Sequence, residues 1–409
     1  MKILLCLLSD QHVPNLLVVH SVKPDRLVLI ETKGMNIKKA VDNFLNALKL
    51  GGLDYSNDKH EILKVEKENS MNEIQDKIKE CYEKRASNEW IINLTGGTKP
   101  MVLGAFNFFK DKNVKMLYLA AANQKEILNL LEDKKEMEIT HKTSVSEFLA
   151  GYGFEAKVGD TAWEKRGKKW FDFSKYIVLH CEDKEIIDYL AKFSNEKAQE
   201  KGMQLKNEPL HDIKFSEYMR NLFGIEMKGN MVTGNLDKHM CKFLAGRWLE
   251  VFLYNILNKY KEKLGIWDVH IELSIFANKN KLPNELDITF MKDQMLYLVE
   301  CKTGGQLHDK EVNALYKTEA IKKQFGALKV KSIFATTSDN IIDDKKNIKE
   351  HIQNRARIYD CTILTRADIK ELAEKLDKVK DEEFVDLINK KFGFEKKDFV
   401  KIESKPIQI

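Results

Sequence analysis

Short runs of consecutive apolar residues alternate with longer amphipathic stretches through the first third of the chain. The runs are ILLCLL (3–8), RLVLIE (26–31), HEILKVE (60–66), EWIINL (89–94) and VKMLYLA (114–120), with helix-like stretches at 37–50, 71–84 and 99–110. A strand that is apolar at nearly every position is buried on both faces, the pattern of a parallel sheet covered by helices on either side. This part therefore reads as a Rossmann-like α/β domain. Such sheets bind ligands at the carboxyl ends of their strands. Residues 126–140 read as an edge hairpin and 145–153 as a short helix.

The pattern weakens from 154 to 235. An aromatic, basic piece (163–173) precedes an expected strand at 176–181, a helix from Glu185 and a polar helical stretch to Gly202. Basic residues interleaved with Trp163 and Trp170 describe either a single-strand binding surface or a solvated turn with its aromatics anchored in a core. Gly224, Gly229 and Gly234 mark a turn-rich passage. From 236, Phe243, Leu244, Trp248, Phe252, Leu253, Ile256 and Leu257 recur at helical spacing and predict one amphipathic helix to 262. The strands VHIELSIFA, ELDITFM and MLYLVECK follow, then a helix at 309–325, the strand VKSIFATT, a helix through Arg357, the run CTILT and a helix to about Val379. The boundaries this implies are 1–150, 151–235, 236–380 and a tail at 381–409.

The stretch from Pro283 to Lys302 concentrates the chemistry. A two-residue turn at Asp293 and Gln294 places Asp287 opposite Glu300 and Glu285 opposite Lys302, all on one face of a hairpin. Opposed Cβ atoms lie about 4.5–5.5 Å apart, close enough for two carboxylates to hold one divalent cation. The cation offsets their repulsion. E-x-K on a strand is also a common solvated ion pair, but facing acids are not needed on a solvated face. Glu250, within GRWLEVFLY, faces either solvent or such a metal site.

Two strand ends in the first domain carry the other candidates. After WIINL come Thr95, Gly96, Gly97, Thr98 and Lys99, with Pro100 and Met101 opening an apolar helix. Paired glycines permit a tight turn, Thr98 suits the helix cap, and free N–H groups there attract phosphate. The same residues also describe an ordinary capped turn, and they are not a Walker loop. After the first strand come Ser9, Asp10 and Gln11, groups that hydrogen-bond a base or ribose and that also belong to ordinary loops.

Composition narrows the class. Lys and Arg total 68 against 63 Asp and Glu, a net charge of +5 that permits a nucleic-acid partner without requiring one. The 6 cysteines are dispersed, with no C-x-x-C, so neither a disulfide framework nor a zinc site is expected and a cytoplasmic location fits. MKILLCLLSD is too short for a signal peptide and reads as a buried strand. No apolar stretch approaches the roughly 20 residues of a membrane span.

ILLCLLSDQ followed by IINLTGGTKPM resembles a CARF domain, the cyclic-oligoadenylate sensor of type III CRISPR systems, over about residues 1–150. The later order of helix, three-strand meander, helix and strand, with an acid on the first helix and E-x-D…E-x-K on the meander, resembles the PD-(D/E)XK nuclease fold over about 236–380. It departs from the family pattern in having Glu285-Leu286-Asp287 where Pro-Asp is usual. The resemblance implies that Glu250, Asp287 and Glu300 hold Mg2+ or Mn2+, with Lys302 beside them. It implies that Ser9, Asp10, Gln11, Thr95, Gly96, Gly97, Thr98, Lys99 and Met101 line a cyclic-oligoadenylate site, with cyclic tetra-adenylate favoured. It further implies a cytoplasmic homodimer with the ring on its two-fold axis, acting on single-stranded DNA or RNA. The alternatives are a CARF-type regulator or a ring nuclease with a non-cleaving C-terminal domain. A HEPN ribonuclease is excluded, because no arginine is followed by histidine at the spacing that class requires.

Overall fold

The computed structural model describes residues 1–119, 125–158, 161–277, 284–304, 310–325 and 329–394. Pro283, at the head of the hairpin stretch, and residues 395–409 of the expected tail lie outside these.

Strands β1 (Lys2–Leu7), β2 (Arg26–Thr32), β3 (His60–Val65), β4 (Glu89–Asn93), β5 (Lys115–Leu119), β6 (Glu126–Asn129) and β7 (Lys134–Glu138) form one sheet in the order β3-β2-β1-β4-β5-β6-β7. The first five pair in parallel, and β6 and β7 close the edge as an antiparallel hairpin. Alternate residues of β1 enter opposite cores. Ile3, Leu5 and Leu7 join Trp90 and Phe109, while Leu4 and Cys6 join Leu16, Val19 and Phe148. Burial on both faces is why the run ILLCLL carries no polar residue.

The chain continues through β8 (Phe154–Val158), β9 (Met203–Pro209), β10 (Glu226–Lys228), β11 (Met231–Leu236), β12 (Ile266–Ala277), β13 (Asn284–Lys292), β14 (Met295–Lys302), β15 (Val330–Thr336) and β16 (Cys361–Leu364). A small sheet has the order β10-β11-β9, and a six-stranded one β16-β15-β14-β13-β12-β8. The meander expected from the sequence is β12-β13-β14. Two compact units result: Met1–Phe171, Glu250–Cys301 and His308–Ser332 make the first, and Asp172–Leu249, Lys302–Leu307 and Ile333–Ile409 the second. In the first unit, Leu4, Leu16 and Phe148 of the parallel-sheet region share one core with Leu273, Leu286, Leu298 and Phe325. The second is built around aromatic contacts such as Phe173 with Phe215 (4.9 Å) and with Phe243 (5.5 Å).

Several local expectations are corrected. Residues 176–181, expected as a strand, fall largely within the helix Thr161–Leu179. Trp163, Trp170, Phe173 and Ile177 are all buried at helical spacing, and this outweighs the strand preference of Tyr-Ile-Val. The two tryptophans meet edge to face at 5.8 Å, so the basic, aromatic piece turns its rings inward and offers no stacking platform. The single helix expected from 236 is interrupted. It comprises Lys238–Lys242, a π-helical turn Phe243–Arg247 and Trp248–Lys259. Gly246 in that turn permits a close approach, since a Cβ there would lie 2.7 Å from Thr303 Oγ1. The helix expected at 37–50 is split between Lys33–Ile37 and Ala40–Leu50, with Lys39 left-handed (φ 55). The expected tail is helical over Asp381–Phe392, burying Phe384, Ile388 and Phe392. Among the described residues, no helix is long and apolar enough to cross a membrane.

Two buried groups make the first unit acid-labile. His12, at the head of the helix Val13–Val22, packs edge-on against Tyr152 (4.4 Å) and Phe148 (5.7 Å), and burial lowers its pKa from 6.5 to about 3. Burial pushes the Glu147 carboxyl up, but interactions with His141, His20 and the Ser144 backbone outweigh that and hold its pKa at about 2, from 4.5. Both groups bind fewer protons folded than unfolded, so the stability they contribute is lost as pH falls, from 6.5 downward for His12 and from 4.5 downward for Glu147. The expected result is a melting temperature that drops steadily below pH 6.5, with the upper part of that drop absent in His12→Leu. A wild-type profile that is flat from pH 6.5 to 4.5 would contradict it.

Candidate functional site

The first candidate site lies at the carboxyl ends of β1 and β4, which pair side by side. Ser9 Oγ donates to the Gln11 carbonyl (3.2 Å), and the exposed Asp10 pairs with the exposed Lys38. The loop after β4 is tied down from below. Asn93 Oδ1 accepts from Thr95 N (3.1 Å) and Thr95 Oγ1 (2.7 Å), and Thr95 Oγ1 accepts from Leu119 N (2.9 Å). Asn93 Nδ2 donates to Asn15 Oδ1 (2.7 Å), and Asn15 Nδ2 donates to the Leu7 carbonyl (2.8 Å). These buried amides tie the end of β4 and the loop after it to the end of β1 and to the helix Val13–Val22.

Gly96 rides directly over the end of β1, where a Cβ would lie 2.1 Å from the Leu7 carbonyl oxygen. Gly97 is left-handed (φ 79), a conformation glycine adopts without steric cost. Thr98 and Lys99 are exposed at the start of the helix Lys99–Phe109. Ser9, Asp10, Gln11 and Thr95 to Lys99 are thus presented at neighbouring strand ends. Met101 is not among them: its side chain is fully buried, and its sulfur accepts the Thr98 N–H (3.5 Å) from beneath the loop. Sequence reasoning missed Asn15 and Asn93, whose signal is a polar side chain within an otherwise apolar run.

The second candidate site lies on the hairpin β13-β14. Asp293 and Gln294 form its two-residue turn with φ 49 and 58, and the pairs run from Lys292–Met295 to Ile288–Val299, the register expected from the sequence. The recorded pairs stop there, one step short of Asp287 and Glu300. Beyond them, Asp287 Oδ2 accepts the Cys301 backbone N–H at 2.7 Å. Glu300 is buried (5 % exposed), with Lys317 Nζ of the helix Lys310–Gln324 at 3.5 Å from its Oε1. Glu285 is exposed and lies opposite Ser274 of β12. Glu250 is half-buried in the first turn of the helix Trp248–Lys259. Lys302 ends β14, its carbonyl accepting the Thr337 N–H (3.1 Å). Thr303 and Gly304 follow it directly and line a cavity of about 450 Å³ with Leu190, Trp248, Ser338 and Arg366, all within the second unit.

Among the described residues, the three ligating groups whose donor atoms all lie within 4.8 Å of one another are His20, His141 and Glu147. Glu250, Asp287 and Glu300 are the acids expected from the sequence to hold a cation. Their oxygen-only donor set suits a hard divalent cation. The imidazoles of His20 and His141 are stacked 3.5 Å apart and 3° from parallel. That group is a clamp on one carboxylate oxygen: His141 Nε2 hydrogen-bonds Glu147 Oε1 at 2.8 Å, and His20 Nε2 lies 3.5 Å from the same atom.

A doubly covered parallel sheet with two polar loops at neighbouring strand ends thus precedes a meander bearing acids and a lysine. Residues 3–148 match the family model "Card1 CARF domain", and residues 237–359 match "Card1-like, endonuclease domain". The chain therefore carries a CARF domain of the Card1 type followed by a Card1-like endonuclease domain.

Solved structures share the fold. The protein VC1899 from Vibrio cholerae aligns with a TM-score of 0.73 at 14 % identity, covering 92 % of this chain and 97 % of that one. Can2 from Sulfobacillus thermosulfidooxidans, solved with cyclic tetra-adenylate, aligns at 0.67 and 21 % identity, covering 94 % and 99 %. A type III CRISPR defence DNA nuclease activated by cyclic oligoadenylate aligns at 0.51 and 15 % identity, covering 87 % and 51 %. No curated protein matches the chain.

Proposed function

We propose that the protein is a divalent-metal-dependent endonuclease of the PD-(D/E)XK type that cuts single-stranded DNA or RNA when cyclic tetra-adenylate occupies its CARF domain, as part of type III CRISPR antiviral defence. The observation that carries the reading is the hairpin: Asp287 anchored on the Cys301 N–H, with Glu300 next along the strand, buried and within 3.5 Å of a lysine. A solvated ion pair requires neither the burial nor the anchored second acid. Glu250, Asp287 and Glu300 would hold Mg2+ or Mn2+, which when bound would activate water and offset the negative charge that develops on the phosphoryl oxygens. The chain's own residues do the rest. The Cys301 N–H fixes the Asp287 carboxylate, and Lys302 and Lys317 bring positive charge to the phosphodiester. Glu285 steadies Lys302 or shares the metal.

At the sensor end, the exposed Thr98 and Lys99 at a helix start favour an anionic ring, and the polar groups of Ser9 to Gln11 are placed to meet its riboses or bases. A ring with two-fold symmetry fits a homodimer, in which one ligand biases both copies. The reading takes 1–150 as sensor, 151–235 as linker and 236–380 as nuclease. The test is cutting of labelled single-stranded DNA and RNA with Mn2+, across rings of different size. Cutting that requires both cyclic tetra-adenylate and the metal, and that EDTA stops, is the expected result. Equal cutting without the ring would overturn the activation, and equal cutting with EDTA would overturn the metal.

A further inference from the structure

The tip of the hairpin breaks a local rule. A two-residue turn with both φ values positive favours Asn-Gly or Asp-Gly, yet its second position is Gln294 (φ 58). Hairpin tips are ordinarily solvated. Asp293 follows that rule (65 % exposed), but Gln294 is 7 % exposed. Its Nε2 donates to the His141 carbonyl at 2.6 Å, and its Oε1 accepts the Thr143 N–H at 3.2 Å. A side chain held by two buried hydrogen bonds in an unfavoured backbone region marks a site where strain is kept for a purpose.

The segment it grips joins the two candidate sites. Residues 141–145 connect β7 to the helix Val145–Gly151, and their backbone groups are satisfied by the meander: Trp267 Nε1 donates to the Thr143 carbonyl, and Asp268 Oδ2 accepts the Val145 N–H. That helix is clamped in turn to the helix Val13–Val22. Glu147 reaches His20 and His141, and His12 lies against Phe148 and Tyr152. A Cβ at Gly151 would fall 2.1 Å from the His12 ring, so the two helices have no slack there. His12 follows Ser9, Asp10 and Gln11 directly in the chain. At its other end the hairpin carries Asp287 and Glu300. All of these residues belong to the first compact unit.

We propose that Gln294 is a positioning residue that couples the sensor to the nuclease: it ties the placement of the hairpin bearing Asp287 and Glu300 to the helix that begins at the sensor loop. The inference rests on the functional reading above and adds the route of its regulation. A shift of the loop at residues 9–12 moves the helix Val13–Val22, the clamp passes it to residues 141–151, and the Gln294 amide passes it to the hairpin tip. Close packing in the shared core makes this a choice between discrete arrangements. A ring that binds one arrangement better then shifts the population.

The test uses the full chain and two substitutions. Gln294→Gly supplies the residue the turn prefers, so the hairpin survives, while Gln294→Met keeps side-chain length and deletes both hydrogen bonds. The measurements are ring affinity, the ratio of cutting with ring to cutting without it, and hydrogen exchange in peptides spanning 284–302 with and without ring. In both variants ring binding is retained, the stimulation ratio falls by about tenfold or more, a coupling loss of the usual allosteric size, and the ring-induced exchange change in 284–302 disappears. A stimulation ratio unchanged in both variants overturns this proposal alone, as does a parallel fall of both rates with a lowered melting temperature. If the wild type is not stimulated by any ring, the functional reading is overturned and this inference with it.

Discussion

Glu300→Ala is expected to reduce ring-dependent cutting by about 10³-fold or more, equivalent to roughly 4 kcal/mol of transition-state stabilisation, while ring binding stays at the wild-type level. The size follows from the position. Glu300 is buried beside Lys317 on a strand whose next residue, Cys301, holds Asp287 through its backbone. On the proposed reading its carboxylate is a metal ligand, so the alanine variant loses that ligand and the ion pair with Lys317. Glu300→Gln separates the two contributions, since the amide keeps the shape and loses the charge. It is expected to match the alanine variant in activity and the wild type in melting temperature. Retention of cutting in either variant would sink the assignment of this hairpin as the catalytic site.

Gly96→Ala is expected to weaken ring binding by about 100-fold or more and to lower the melting temperature by several degrees. The added Cβ would lie 2.1 Å from the Leu7 carbonyl oxygen and 2.8 Å from Asn15 Nδ2. The first of these is backbone of a central strand and cannot move aside. The loop must lift off β1, which breaks the Asn15–Asn93 lock and spreads the two loops apart. Lys99→Ala is the complementary case. Lys99 is exposed, so its loss is expected to leave the melting temperature unchanged and to weaken an anionic ring by about tenfold, the scale of one charge-assisted contact. If both variants bind the ring as the wild type does, the sensor site is elsewhere on the molecule.

The sequence reading succeeded where one local signal has one structural solution. Unbroken apolar runs separated by amphipathic stretches left no arrangement other than a doubly covered parallel sheet, and five parallel strands resulted. The hairpin register followed from a polar two-residue break between apolar strands, because a period of two leaves a single register that keeps one face buried. It failed where two signals competed. At 176–181 strand propensity lost to the helical spacing of Trp163, Trp170, Phe173 and Ile177, a pattern visible only over four turns. The helix expected from 236 was broken at Gly246 by the approach of Thr303, far away in sequence. Met101, included in the candidate ligand site through the family resemblance, has its side chain in the core.

The sequence by itself determined the fold class, the order of the sensor and endonuclease segments, the two loops at the strand ends and the hairpin that carries Asp287 and Glu300. These are set by periodicity, turn chemistry and motif, which act over a few residues. The tertiary structure alone decided that Asn93 and Asn15 tie the end of β4 to the end of β1, that Asp287 bonds to Cys301 N–H, that Lys317 stands over Glu300, and that Gln294 reaches residues 141–143. Apart from the Asp287–Cys301 bond, which lies within the expected hairpin, each of these joins residues that sequence leaves unrelated. A buried polar group must find a partner wherever packing brings one, and distance along the chain does not say which one that is.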